Sequence, residues 1–143
     1  MSATLDLLPA CRIIDCCDRD SWLRSRRDGV GGSDAPVVLG QSEYKSRYAL
    51  WAEKTGQIEP ADLSDREDVE FGRKLEGIVL ATLGERTGRF IEPWPQTSMV
   101  VHPKFSWMRC TPDAFQVDDD RGLGIVQAKT TSAYLGWRWE DEP

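Results

Sequence analysis

The sequence predicts an α+β fold, and three observations point that way. Apolar residues recur at helical spacing in the stretch after Ser64, at Phe71, Leu75, Ile78, Val79 and Leu83. Beyond Gly88 the pattern changes to short strand-like runs at 97–102 (TSMVVH), 107–117 (WMRCTPDAFQV) and 123–129 (LGIVQAK). Before residue 64, glycine and proline divide the chain into short helical pieces. A chain of 143 residues is enough for one domain around one core. Residues 1–143 are therefore read as a single domain, a helical segment over 20–56 followed by an αβββα core over 64–139.

Taken in order, residues 20–28 (DSWLRSRRD) predict a short basic helix. Gly29 to Gly32 make a glycine-rich turn, and Ser33 is placed to cap the helix DAPVVLG. Pro36 falls in the first turn of that helix, where a missing N–H does no harm. The next helix runs from Arg47 to Lys54 and stops at Gly56. Ser64 and Glu67 have capping-box spacing ahead of the long helix, and Gly88 is its stop. Three strands follow, with DDDRG as the turn between the last two, and a further helix begins over 133–139. The predicted core is Trp22, Phe71, Leu75, Val79, Leu83, Val100, Phe115, Ile125 and Val126.

Composition narrows the function classes. Hydrophobic residues at 40% and charged residues at 29% are ordinary for a soluble domain. No apolar run approaches the roughly 20 residues that cross a bilayer. The start MSATLDLLPACRIIDCC has no basic region ahead of its apolar patch, so no signal peptide is expected and the setting is read as cytoplasmic. Cys11, Cys16, Cys17 and Cys110 form no CxxC pair, so packed, reduced thiols are expected rather than zinc. His102, the single histidine, precedes Pro103 at the end of an apolar run and is read as structural. The formal net charge of −6 argues against a broad basic DNA-binding surface. It leaves room for a carboxylate-based metal site with a few phosphate-binding arginines.

Three features carry chemistry. Thr111-Pro112-Asp113 lies in the second predicted strand. Gln127 and Lys129 lie in the third, where alternation sends both to one face. Glu76 sits at the edge of the long helix's apolar stripe, where a carboxylate needs a partner. Each alone has a plainer reading: a turn, an exposed alternation, a salt-bridged glutamate. Together they are the parts of metal-assisted phosphodiester hydrolysis. Asp113 would be the principal ligand of Mg²⁺ or Mn²⁺, joined by Glu76 and the Ala128 carbonyl. Lys129 would orient or deprotonate the attacking water.

From Trp22 to Lys129 the chain resembles the YqaJ-type viral recombinase family, relatives of phage lambda exonuclease within the PD-(D/E)xK nuclease superfamily. The stretches that carry the resemblance are RDGVGGSDAPVVLG, YALWAEKTG, FGRKLEGIVL, TPDAF and GIVQAKTT, in the family's order. The resemblance implies an αβββαβ nuclease core and Mg²⁺-dependent 5′-to-3′ digestion of double-stranded DNA. It puts Glu76, Asp113, Gln127 and Lys129 on catalytic positions. It also matches Trp22, Arg26 and Ser33 to positions that engage the DNA end and its 5′-phosphate. Ser33 at a helix N-terminus would suit an anion, and Arg26 would add a charge-assisted contact. The plainer alternative is an ordinary cap beside a solvated basic face.

Two features depart from the family's pattern. Gln127 stands where the family's usual residue is Glu. After Lys129 only TTSAYLGWRWEDEP follows, so the C-terminal helix and strand of the core are expected to be largely missing, in a fragment or a shortened form. Two functions remain open. One is an exonuclease that processes DNA ends in a ring-shaped homo-oligomer, with a single-strand annealing partner, in the bacterial host of a phage or prophage. The other is a nuclease-derived binding protein, such as a phage-encoded inhibitor of a host nucleic-acid-targeting defence complex. Retention of Lys129 and of both carboxylates favours the first.

Overall fold

The computed structural model describes residues 11–63, 66–118 and 121–131. The N-terminal part supplies a strand, β1 (Arg12–Asp15), then α1 (Arg19–Arg27), a 3₁₀ turn (Gly32–Asp34), α2 (Ala35–Val38) and α3 (Arg47–Lys54). A long helix, α4 (Glu67–Thr87), leads into β2 (Phe90–Pro93), β3 (Ser98–Val101), β4 (Arg109–Cys110), β5 (Ala114–Asp118) and β6 (Gly122–Val126). The strands form two antiparallel three-stranded sheets, β1-β3-β4 and β2-β5-β6. The α+β class expected from the sequence is what the chain adopts.

The helices start and stop for identifiable reasons. Asp18 caps α1, its Oδ1 accepting the Ser21 N–H at 2.7 Å. That bond, with help from the Ser21 and Cys17 side chains, holds the Asp18 carboxyl at a pKa of about 2. Ser46 caps α3 in the same way, accepting from the Ala49 N–H at 3.1 Å. Glu67, Asp68 and Glu70 crowd the first turn of α4 and Arg86 its last, matching the helix dipole. Gly88 ends α4 with φ at 67°, a left-handed conformation that glycine takes without a Cβ penalty.

Several expectations change. Ser33 does not cap a helix. It lies inside the 3₁₀ turn, and the carboxylate of Asp34 accepts the Gly31 N–H at 2.9 Å instead. The N-cap residue of α4 is Arg66, with no side-chain cap, while Ser64 lies outside the described residues, as does the helix expected over 133–139. The predicted first strand of the core, 97–102, joins the other sheet. There β3 is the central strand, flanked by β1 and β4 and buried at all four residues. Its place after α4 is taken by β2, so the order α4-β2-β5-β6 supplies the αβββ unit. The predicted strand 107–117 breaks at Thr111-Pro112-Asp113. Pro112 cannot donate to a ladder, and the chain crosses there from one sheet to the other.

The core joins the two sheets. Trp94, Val100 and Phe115 cluster, with Cys11, Ile13, Cys110 and Leu123 packed against them. Trp94 meets Phe115 edge-on, with ring centroids 5.1 Å apart, and its indole N–H donates to the Ser98 carbonyl at 2.8 Å. Val100 and Phe115 are buried as expected, whereas Trp22, Leu83 and Val126 are half-buried. Phe71, Leu75, Val79 and Ile125 are exposed, Ile125 at 60%. The reason is the reach of the partner: α4 packs on β2, and Leu80 is its buried apolar residue, so the stripe is wider than the face β2 covers. His102 is structural, its Nδ1 accepting the N–H groups of Lys104 and Phe105. The four cysteines are free thiols, and burial, with the nearby Cys11, pushes the pKa of Cys110 up.

Candidate active site

The break in the strand pattern positions Asp113. Pro112 is fully buried, and the Asp113 backbone is bonded on both sides. Its N–H donates to the Val126 carbonyl at 3.2 Å, and its carbonyl accepts the Trp94 N–H at 2.9 Å. With its backbone fixed between neighbours, the carboxylate has little freedom. Oδ2 accepts the Ala128 N–H at 2.6 Å. The pairing of Ala114 with Val126 runs β6 out beside Asp113, bringing Gln127 and Lys129 to the same end of the sheet. Lys129 Nζ donates to the Ala128 carbonyl at 3.2 Å.

Two more elements close on this point. From α4 comes Glu76, half-buried, its Oε1 accepting the Gln96 Nε2 at 3.2 Å. From α1 comes Trp22, whose indole N–H donates to Thr111 Oγ1 at 3.0 Å. The guanidinium of Arg26 lies over the Trp22 ring at 4.8 Å and that of Arg19 at 5.8 Å. Arg26 Nη2 also donates to Ser33 Oγ at 2.9 Å.

Most of these residues line one cavity of about 620 Å³. Glu76, Asp113, Gln127 and Lys129 share it with Trp22, Arg26 and Ser33. The sequence had assigned these seven side chains to two functional groups, and the fold puts both groups in one cleft. Ala128 is not among the lining residues, and its N–H and carbonyl are already bonded to Asp113 and Lys129. Arg19, Arg73, Gln96 and Arg109 also line the cavity and were not foreseen. Helical spacing held a signal for two of them. Arg19 is three residues before Trp22 on α1, and Arg73 three before Glu76 on α4, hence on the same faces. Gln96 and Arg109 come from a turn and a two-residue strand, where no periodicity exists to read.

The charge balance of the cleft opposes that of the chain. Arg19, Arg26, Arg73, Arg109 and Lys129 face only Glu76 and Asp113 among the lining residues, although the chain's formal net charge is −6. The anion-binding capacity is in guanidiniums rather than in a helix end. The 3₁₀ turn and α2 are too short for a dipole site, and Asp34 already takes the Gly31 N–H. Asp34 is buried and paired with Lys54 at 2.7 Å. Burial works against its charge, but Lys54, the Gly31 N–H and nearby Arg26 outweigh that and hold its pKa below the usual carboxylate value.

Among the described residues, no three His, Cys, Asp or Glu side chains gather as a metal-ligand group. The cleft is lined by two carboxylates, Glu76 and Asp113, and by the Gln127 amide. These are hard oxygen donors, suited to Mg²⁺ or Mn²⁺ and not to zinc in a thiolate or imidazole site.

A family model described as the YqaJ-like viral recombinase domain matches residues 21–143. The protein YqaJ of Bacillus subtilis (strain 168) is 38% identical over 124 residues, a span covering 87% of this chain and 37% of the relative. The chain therefore spans little more than a third of that relative's length. No solved structure matches it. The matched span includes Trp22, Arg26, Asp113 and Lys129, and the chain belongs to the YqaJ-like viral recombinase domain family.

Proposed function

We propose that this chain carries the catalytic part of a metal-dependent deoxyribonuclease of the phage recombination type, digesting duplex DNA 5′ to 3′ from its ends. The observation that carries the reading is the single cleft with Glu76, Asp113, Gln127 and Lys129 alongside the Trp22, Arg26 and Ser33 cluster. Asp113 and Glu76, with oxygens from Gln127 and Ala128, would hold Mg²⁺ or Mn²⁺. Such an ion, when bound, supplies positive charge to the phosphate and acidifies a coordinated water. The chain's own residues do the rest. Lys129 holds and orients the attacking water, and Ala128 fixes Asp113 through its N–H. Trp22 offers a face to the terminal base, and Arg26 with Ser33 grips the 5′-phosphate.

The same reading includes double-stranded DNA ends as substrate, a homo-oligomer as the working form and a single-strand annealing protein as partner. It places the protein in the cytoplasm of a bacterium that carries the phage or prophage. No helix among the described residues is long and apolar enough to cross a membrane.

One observation favours a second reading. Gln127 brings no charge where a third carboxylate would strengthen metal binding, and the chain outside the cleft is acidic. A nuclease-derived protein that occupies the nucleic-acid surface of a host defence complex would have these properties.

The deciding experiment is digestion of linear duplex DNA with a free 5′-phosphate by the full chain in Mg²⁺ or Mn²⁺, beside Asp113→Ala and Lys129→Ala. The nuclease reading expects digestion that falls by about 10²-fold or more in either variant. Digestion untouched by both substitutions would remove the assigned site. No digestion, together with no metal uptake, would leave the binding protein.

A further inference from the structure

We infer that the part-buried pair Asp34–Lys54 is a positioning device that keeps the Arg26 guanidinium available to a DNA 5′-phosphate. This rests on the reading of the cleft given above. Lys54 stands outside the cavity, at the crossing of three elements. Its ammonium bonds Asp34 Oδ2 at 2.7 Å and the Arg26 carbonyl at 2.9 Å. Asp34 in turn fixes the glycine turn by accepting the Gly31 N–H at 2.9 Å. The two segments tied in this way are those whose side chains meet at Arg26 Nη2 and Ser33 Oγ.

Charge gives the pair its second task. Asp34 is close enough to Arg26 for that cation to act on its ionisation. A buried carboxylate must be paired, because an uncompensated charge there is strongly destabilising. Lys54 supplies the partner. Remove the Lys54 charge and Arg26 is the remaining cation that acts on Asp34. Its guanidinium would then turn from Ser33 toward the carboxylate, and an incoming phosphate would compete with an internal anion. The ammonium of Lys54 therefore acts through Arg26 and touches no substrate.

The test is equilibrium binding of a short duplex in the presence of Ca²⁺, with a 5′-phosphate against a 5′-hydroxyl, read by fluorescence anisotropy on the full chain. Lys54→Gln is expected to reduce the preference for the phosphorylated end about tenfold, the order of one charged hydrogen bond. Lys54→Arg keeps the charge and should keep the preference. Asp34→Asn/Lys54→Gln removes both charges and should restore most of it, which also covers the case in which Lys54→Gln alone does not fold. A merely structural pair would behave otherwise, with Lys54→Gln and Asp34→Asn/Lys54→Gln both losing binding to either end alike. A wild-type chain with no preference between the ends would overturn the phosphate site itself. A wild-type preference that survives in folded Lys54→Gln, or that fails to return in the folded double variant, would overturn this inference alone.

Discussion

Gln127 concentrates the question of activity in one side chain. It is exposed, lies one residue beyond the end of β6, and lines the cleft with Asp113 and the half-buried Glu76. Gln127→Glu adds a carboxylate where the metal would sit. A unit pair about 4 Å apart at an effective dielectric near 20 interacts by roughly 4 kcal/mol. Exposure lowers both the gain and the desolvation cost. Calorimetric titration with Mn²⁺ is expected to show tighter uptake in Gln127→Glu, and nuclease activity should rise with it. Without a metal the new charge only repels Asp113 and Glu76, so a lower melting temperature that Mn²⁺ does not restore would count against catalysis. Trp22 is a second single-residue case, since it is both a wall of the cleft and a strut. Trp22→Phe keeps a ring beneath Arg26 but loses the bond to Thr111 Oγ1, and urea unfolding should register about 1 kcal/mol.

At the scale of elements, legibility followed periodicity. The α3 helix, the long helix and its stop at Gly88 were readable because repeated spacing and a terminal glycine signal the same thing. Gln127 and Lys129, two residues apart, line one cavity, although both lie beyond the end of β6 at Val126. Less was readable where one residue overrides a pattern. Pro112 divides an apolar run that looks like one strand, and β1 and β2 are four-residue pieces with little alternation to detect. The core expectation failed at Phe71, Leu75 and Val79 because helical period reports a stripe, not the width of the partner that covers it. Two glycines, Gly77 inside α4 and Gly88 at its C-cap, give a paired test with opposite signs. Neither has any atom within 4 Å of where a Cβ would go, so sterics drop out. Gly88→Ala must hold φ at 67°, which costs about 1 kcal/mol. Gly77→Ala lies mid-helix at ordinary φ and should stabilise by about as much. Chemical denaturation should separate the two variants by about 2 kcal/mol. Equal midpoints would mean that α4 does not extend as described through both positions.

For the whole molecule, the relevant contrast is between an acidic chain and its basic cleft. Under the proposed function, a general surface at a formal net charge of −6 contributes little attraction to DNA, which then falls to the five cations lining the cavity. That bounds the salt dependence of binding. Each phosphate neutralised contributes a slope of about −0.9 in log affinity against log salt for duplex DNA, so five contacts set a limit near −4.5. Arg109 lowers the expected number, because its guanidinium already donates to the Ser25 and Ser106 carbonyls and pairs with Asp28. A slope between about −2 and −4 is therefore expected for duplex binding in Ca²⁺. Arg26→Ala should make it shallower by about one contact for 5′-phosphorylated ends and by less for 5′-hydroxyl ends. Lys104, which is exposed and does not line the cavity, should leave the slope almost unchanged when replaced by Ala. A wild-type slope well beyond −4.5 would require phosphate contacts outside the described cleft, and equal changes for Arg26→Ala and Lys104→Ala would mean that the DNA does not enter it.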